Sequence, residues 1–283
     1  MKLSYSKYKY YMDCPKRYYN EANHVEYPEK DSRYFALYGF LIEMFFKNYC
    51  NVYSKRSVPL TETEITVVLR RMWDKVLEEH YVNWTEPWVK QSSEDIFFEV
   101  REDINKNLEA FDFWRNAKSE VSFDIHLKKA GDELSCRMDF IVNNIDNTVE
   151  ILDGKGTLKM DRVDREQLYF YILMYYLHFK KLPDKAGFLF YRFQHIEYID
   201  FDMDSINRFK RKLSLVKRTI KKSDEFPAIV KISKHCKWCP YRHDCKELFD
   251  TRKLKASKRK KKVVIDIDFE GEVKSFSPRG LPS

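Results

Sequence analysis

Apolar residues fall on every second position over much of the stretch from Glu120 to Ile151. Val121, Phe123, Ile125 and Leu127 alternate with polar neighbours, and Leu134, Cys136, Met138, Phe140 and Val142 do so again after a turn signal at Gly131-Asp132. Strand side chains change face with period two, so each run predicts a half-buried strand. Asn143 to Asn147 is a cluster of turn formers, and Val149 and Ile151 resume the alternation. The pattern therefore predicts a second hairpin, turning about Asp146.

The period then changes. From Val163 to Lys180 the apolar residues Leu168, Tyr171, Ile172, Tyr175, Tyr176 and Phe179 recur at helical spacing. The segments AGFLFYRF and HIEYIDF read as strands, and Ser205 to Lys222 as a helix with Ile206, Phe209, Leu213, Val216 and Ile220 on one face. Upstream, Tyr34 to Tyr53 carries a broad apolar helical face that includes Leu37, Leu41, Ile42, Phe45, Phe46 and Tyr49. Gly39 within it costs about 1 kcal/mol relative to alanine in a helix, so it predicts the close approach of another element. Thr61 to Lys118 predicts a helical insertion: Thr61 and Glu64 form a capping box, Pro87 interrupts the pattern, and a second stripe runs through Ile96, Val100, Ile104 and Leu108. About five strands flanked by helices make an α/β fold with a mixed central sheet.

Composition narrows the class. With 43% hydrophobic and 16% aromatic residues in 283, and only seven glycines and nine prolines, the chain folds around a sizeable core. No stretch approaches the roughly 20 apolar residues of a spanning helix, and MKLSYSKYKYY lacks an apolar signal core, so the expected setting is intracellular, in the cytoplasm, with no membrane partner. The net charge of +8 favours an anionic partner. The Ser205 to Lys222 helix surrounds its apolar face with basic residues, which would suit a phosphate backbone as well as water. Arg252 to Lys262 holds eight basic residues in eleven and is read as a basic tail. The segment beyond it, 263–283, would serve as an added strand, a disordered tail or a peptide that docks a protein partner. The expected division is a domain over 1–250, with the insertion at about 60–118 and a closing cysteine-rich loop at 235–246, followed by the tail at 251–283.

The second hairpin carries the candidate chemistry. Asp153 and Lys155 share one face of their strand, and a hairpin centred on Asp146 sets Asp139 opposite Asp153. Directly opposed residues bring Cβ atoms to about 4.5 to 5.5 Å, so the two carboxylates can share one divalent ion. A hard cation takes oxygen ligands, polarises phosphate and activates water. Lys155 would stabilise developing charge or orient the nucleophile. On the next helix Gln167 stands four residues before Tyr171, on the same face. Asp139, then Asp153-x-Lys155, then Gln167-x-x-x-Tyr171 resembles the RecB-type branch of the PD-(D/E)XK nucleases.

That resemblance implies a restriction-endonuclease-like fold and a Mg²⁺- or Mn²⁺-dependent deoxyribonuclease. It implies exonuclease action on DNA ends, single-stranded above all, in recombination, repair, phage replication or CRISPR adaptation. Asp139, Asp153 and the Gly154 carbonyl would hold the metal, Lys155 would act on water or phosphate, and Gln167 and Tyr171 would position the DNA strand. RecB-type nucleases usually place a metal-ligating histidine four residues after a glycine. Here Gly39 is followed by Glu43, an oxygen ligand in place of nitrogen, and Glu43 completes the expected catalytic and metal set. Glu120 falls where the family often has a glutamate ahead of the motif strand.

The six cysteines divide by pattern. Cys50 and Cys136 lie on apolar faces and read as core. Cys14 precedes Pro15 at a break in the opening helical run, and Cys236, Cys239 and Cys245 crowd one loop with His235 and His243. Three thiolates in a loop and one remote thiolate suit either a 4Fe–4S cluster or tetrahedral zinc. The resemblance extends to the iron–sulfur-stapled nucleases of the AddB kind and of CRISPR adaptation, with one N-terminal cysteine before proline and three C-terminal ones. It implies a structural 4Fe–4S cluster on Cys14, Cys236, Cys239 and Cys245. Two rival expectations stand beside the nuclease: a catalytically inactive DNA-binding member of the fold, and a zinc-stapled nucleic-acid adaptor.

Overall fold

The computed structural model describes residues 1–25, 34–56, 58–80, 82, 84, 89–127, 132–229, 236, 239–242 and 245–247. The turn signal at Gly131, the helix break at Pro87, His235, His243 and the basic tail lie outside the described residues. The chain forms two compact units, one of residues 1–2 and 31–202, the other of 3–30 and 203–283.

The first unit is built on a mixed sheet. Its strands are β1 (Lys2–Leu3, of which Lys2 falls in this unit), β2 (Ala117–Leu127), β3 (Asp132–Asn143), β4 (Val149–Lys155), β5 (Lys185–Phe190) and β6 (His195–Tyr198), six rather than the five or so expected. The extra strand is the two-residue β1, too short to leave a periodic signal. β3 pairs antiparallel with β2 and β4, β4 runs parallel to β5, and β5 pairs antiparallel with β6. β4 and β5 are parallel because a helix, Arg165–Phe179, carries the chain between them. β5 ends at Phe190, earlier than the run AGFLFYRF indicated, and Tyr191–Phe193 make a 3-10 turn closed by Gln194 at φ 44°.

Seven helices are described. α1 (Tyr5–Asp13) and α2 (Pro15–Ala22) are separated at Cys14, where proline at the first position of α2 sets its start. α3 (Tyr34–Asn48) runs into a π-helical turn at Tyr49–Tyr53. α4 (Glu62–Glu79) and α5 (Ser93–Ala110) each begin with a capping box, Thr61 with Glu64 and Ser92 with Asp95. The insertion ends sooner than expected, since β2 already begins at Ala117. α6 is the Arg165–Phe179 helix, and α7 spans Met203–Lys222. None of the described helices is long and apolar enough to cross a membrane.

One buried cluster joins α3, α4 and α5 to the sheet through Phe46, Trp73, Phe97, Trp114, Phe140, Leu152 and Tyr191. Burying each such side chain contributes about 1.5–3 kcal/mol. The close approach expected at Gly39 is found on its neighbour: a methyl group on Gly39 would meet open space, whereas a Cβ on Gly156 would lie 3.0 Å from Gly39 Cα. In the second unit Tyr8 packs edge-on against Phe209 of α7, and Tyr18 and Tyr19 pack on Phe226.

Candidate active site

The hairpin register sets the first two acids. Phe140 pairs with Leu152 and Asn143 with Val149, so one further step along the ladder puts Asp139 opposite Asp153. β4 is an inner strand, with Asp153 beside Phe188 and Lys155 beside Phe190 of β5. Asp153 is consequently 1% exposed. A carboxylate so buried needs partners, and it has them: Gln167 Nε2 donates to Oδ1 at 2.8 Å, and Lys155 forms an ion pair with Oδ2. The Gly154 N–H donates to Asp139 Oδ2 at 3.0 Å. A Cβ at position 154 would lie 2.2 Å from the Tyr191 hydroxyl oxygen, which is why the residue between Asp153 and Lys155 is glycine.

α3 brings the third acid. Glu43 forms an ion pair with Lys47 one turn along the helix, and Lys47 Nζ also lies 3.2 Å from Glu120. Glu120 sits in β2 with φ 52°, a left-handed conformation that a non-glycine residue rarely adopts, and its carboxylate also faces Arg137 at 3.6 Å.

Five charges act on one another here. Burial pushes Asp139 up to about 8; Asp153 and Glu43 add to that, and Lys47 and Lys155 oppose it. Burial also raises Asp153, with Lys155 working against it. For Lys155 burial pulls the ammonium down, but the fields of Asp153, Asp139 and Glu43 outweigh it and the group rises above the usual lysine range. Lys155 is therefore a fixed cation at neutral pH, suited to stabilising negative charge and unsuited to accepting a proton.

α6 supplies Gln167 and Tyr171 at the spacing expected, but both turn inward. Gln167 Oε1 accepts from Lys155 Nζ at 3.2 Å, and its Nε2 donates to Asp153 and, at 3.0 Å, to the Tyr171 hydroxyl. Tyr171 is buried. In the protein itself the pair thus orients the Asp153 and Lys155 side chains. Two residues that the sequence did not single out, Lys47 and Tyr191, join this cluster. Lys47 had a signal in its place four residues after Glu43; Tyr191 had none, since its contact with Gly154 depends on the β4–β5 register.

The residues fit a hard divalent cation in type and charge. Asp153 Oδ2 is buried and ion-paired with Lys155, with no well-formed hydrogen bond among the described residues. Three carboxylates from α3, β3 and β4 face one region, and oxygen donors of this kind suit Mg²⁺ or Mn²⁺. Among the described residues no three acidic, histidine or cysteine side chains already stand at ligand spacing; Glu43 is paired with Lys47 and Asp153 with Lys155.

Cys14, Cys236, Cys239 and Cys245 all belong to the second unit. Burial raises the Cys239 thiol, and Cys14 and Cys236 are near enough to add to the rise. The Cys239 N–H donates to the Cys236 carbonyl at 3.4 Å, and Cys245 Sγ lies 3.6 Å from Glu247, which is held by Lys16 at 2.7 Å. Cys50 is buried and Cys136 partly so. Burial raises both thiols to about 12, as befits inert packing residues.

Two solved structures are distantly similar to this chain. The crystal structure of SSO0001 is 15% identical, with a TM-score of 0.34, covering 74% of this chain and 95% of that one. A protein from Eubacterium rectale, provisionally named an exonuclease, is 12% identical with a TM-score of 0.49, covering 86% of this chain and 88% of that one. No curated protein matches. The family model of the PD-(D/E)XK nuclease superfamily matches residues 2–246, which takes in Glu43, Asp139, Asp153, Lys155 and the four spaced cysteines. The chain belongs to the PD-(D/E)XK nuclease superfamily.

Proposed function

We propose that this protein is a Mg²⁺- or Mn²⁺-dependent deoxyribonuclease that hydrolyses phosphodiester bonds at DNA ends, preferentially of single strands. The observation that carries the reading is the β3–β4 register, which sets Asp139 opposite Asp153, with Lys155 paired to Asp153 and Glu43 of α3 near enough to act on Asp139 and Lys155. A divalent ion bound there supplies Lewis-acid polarisation of the phosphate and a water of lowered pKa. Glu43, Asp139 and Asp153 hold it, with the Gly154 carbonyl as a further oxygen. Lys155, kept protonated by its acidic neighbours, faces the charge that grows on the phosphate oxygens. Gln167 fixes Lys155 and Asp153 relative to each other through both ends of one amide, and Tyr171 fixes Gln167. The single-strand and end preference rests on the resemblance to RecB-type nucleases.

In the second unit, Cys14, Cys236, Cys239 and Cys245 are proposed to hold a 4Fe–4S cluster in a structural role. The support is the cysteine spacing, with Cys14 and Cys236 both acting on the Cys239 thiol; among the described residues no three of these thiols stand at ligand spacing.

One preparation tests both parts. Full-length protein purified without oxygen is assayed on end-labelled single- and double-stranded DNA with Mn²⁺, and its absorption spectrum and metal content are recorded. The expected outcome is end-directed release of nucleotides, faster from single strands, abolished by chelation and reduced at least about 10²–10³-fold by Asp153→Ala and by Lys155→Ala. Unaltered cleavage by both variants would sink the assigned site. A brown protein containing iron is expected; a colourless protein containing zinc would replace the cluster assignment with a zinc staple.

A further inference from the structure

Tyr191 follows the last residue of β5 and opens the 3-10 turn Tyr191–Phe193. Its surroundings are fixed on every side. The backbone carbonyl accepts from Asn107 Nδ2 and from Gln194 Nε2, both at 2.7 Å. The ring stacks parallel to Phe46, centroids 5.3 Å apart and planes 3° apart, and Phe46 in turn stacks on Trp114 at 4.0 Å. Trp114 Nε1 closes the arrangement by donating to the Asn107 carbonyl at 3.0 Å.

Within this packed surround the Tyr191 hydroxyl is the exception. It is buried and has no hydrogen-bond partner among the described residues. A phenylalanine would fill the same space with no polar atom to satisfy, and buried hydroxyls nearly always have a partner. The oxygen is aimed at the Gly154 backbone, where a Cβ would meet it at 2.2 Å. It also lies in the fields of Asp139, Glu43 and Asp153, the three acids that face the candidate cation.

We propose that Tyr191 is a positioning residue of the metal centre, its O–H donating to an oxygen of the ligand shell beside Gly154 once a divalent cation is held there. The inference rests on the nuclease reading above and adds a residue to it. The partner missing from the protein is then an oxygen that arrives or reorients with the ion. The aromatic stack under the ring fixes the donor's direction, as groups around a metal's ligands fix theirs.

The test compares full-length wild type with Tyr191→Phe, which removes one oxygen and keeps the ring. Three readouts are taken: melting temperature without metal, Mn²⁺ affinity by calorimetry, and kcat and KM on end-labelled single-stranded DNA. The expected result is an unchanged or higher melting temperature, Mn²⁺ affinity weakened about tenfold or more, and a lower kcat with KM for DNA unchanged. Mn²⁺ affinity within twofold of wild type would overturn the proposal and leave the hydroxyl to packing alone. A melting temperature lowered by several degrees would also overturn it, because the hydroxyl would then be serving the metal-free fold. A wild type that binds Mn²⁺ and cuts DNA beside an unaltered Tyr191→Phe rejects this inference alone. A wild type that does neither rejects the nuclease reading and this inference with it.

Discussion

Asp139 shows how much of this site is a matter of single groups in unfavourable company. Burial and two neighbouring carboxylates hold its pKa at about 8, far above the roughly 3.9 of an unfolded aspartate. Asp153 moves in the same direction, so the two titrate as a pair. Between about pH 4 and 8 the metal-free native protein keeps a proton that the unfolded chain has lost, so stability must fall as pH rises through that window. EDTA-treated protein should therefore melt at progressively lower temperature from pH 5 to 8, and Asp139→Asn should flatten the slope. Added Mn²⁺ should raise the melting temperature most at pH 8, where the carboxylates shed protons most readily to bind it. A metal-free melting temperature that is flat or rises over this range would contradict the assigned environment. At this scale the sequence was legible wherever spacing decides contact: Asp153 and Lys155 by strand period, Gln167 and Tyr171 by helix turn. It was silent on Tyr191 and on the left-handed Glu120, because both depend on which strands pair and where a strand bends.

Among elements, the β3–β4 hairpin was the most legible, since alternation and a turn cluster leave little freedom in register. Helices announced themselves equally well, with the Thr61–Glu64 box observed as expected. The short β1 and the early end of β5 were not legible, for neither leaves a run long enough to show a period. α7 stands apart by charge. It carries eight lysines and arginines against one acidic residue, and Arg208, Arg211, Arg218 and Lys222 make no ion pair among the described residues. Arg70 of α4 and Lys106 of α5, by contrast, are paired with Glu94 and Glu102. Cations left without an ion pair, as those four of α7 are, suit a nucleic-acid backbone. Replacing Arg208, Arg211, Arg218 and Lys222 by serine should weaken binding of single-stranded DNA to a similar degree for every sequence. The slope of log affinity against log salt should become shallower by about 0.7 for each phosphate that the variant no longer neutralises. An unchanged slope would reduce α7 to a solvated face.

For the whole molecule, the division of labour follows the two units: the acidic cluster and its lysines lie in one, the four spaced cysteines in the other. The +8 net charge, the mixed sheet and the superfamily match all agree with a nucleic-acid substrate. The proposed chemistry belongs to one region, to which α3, β3 and β4 each contribute a carboxylate. Mn²⁺ titration of the full-length protein by calorimetry, wild type beside Glu43→Gln, Asp139→Asn and Asp153→Asn, examines that region directly. Each substitution is expected to weaken Mn²⁺ affinity by about tenfold or more. Mn²⁺ binding of equal strength in the wild type and all three variants would contradict the assigned site.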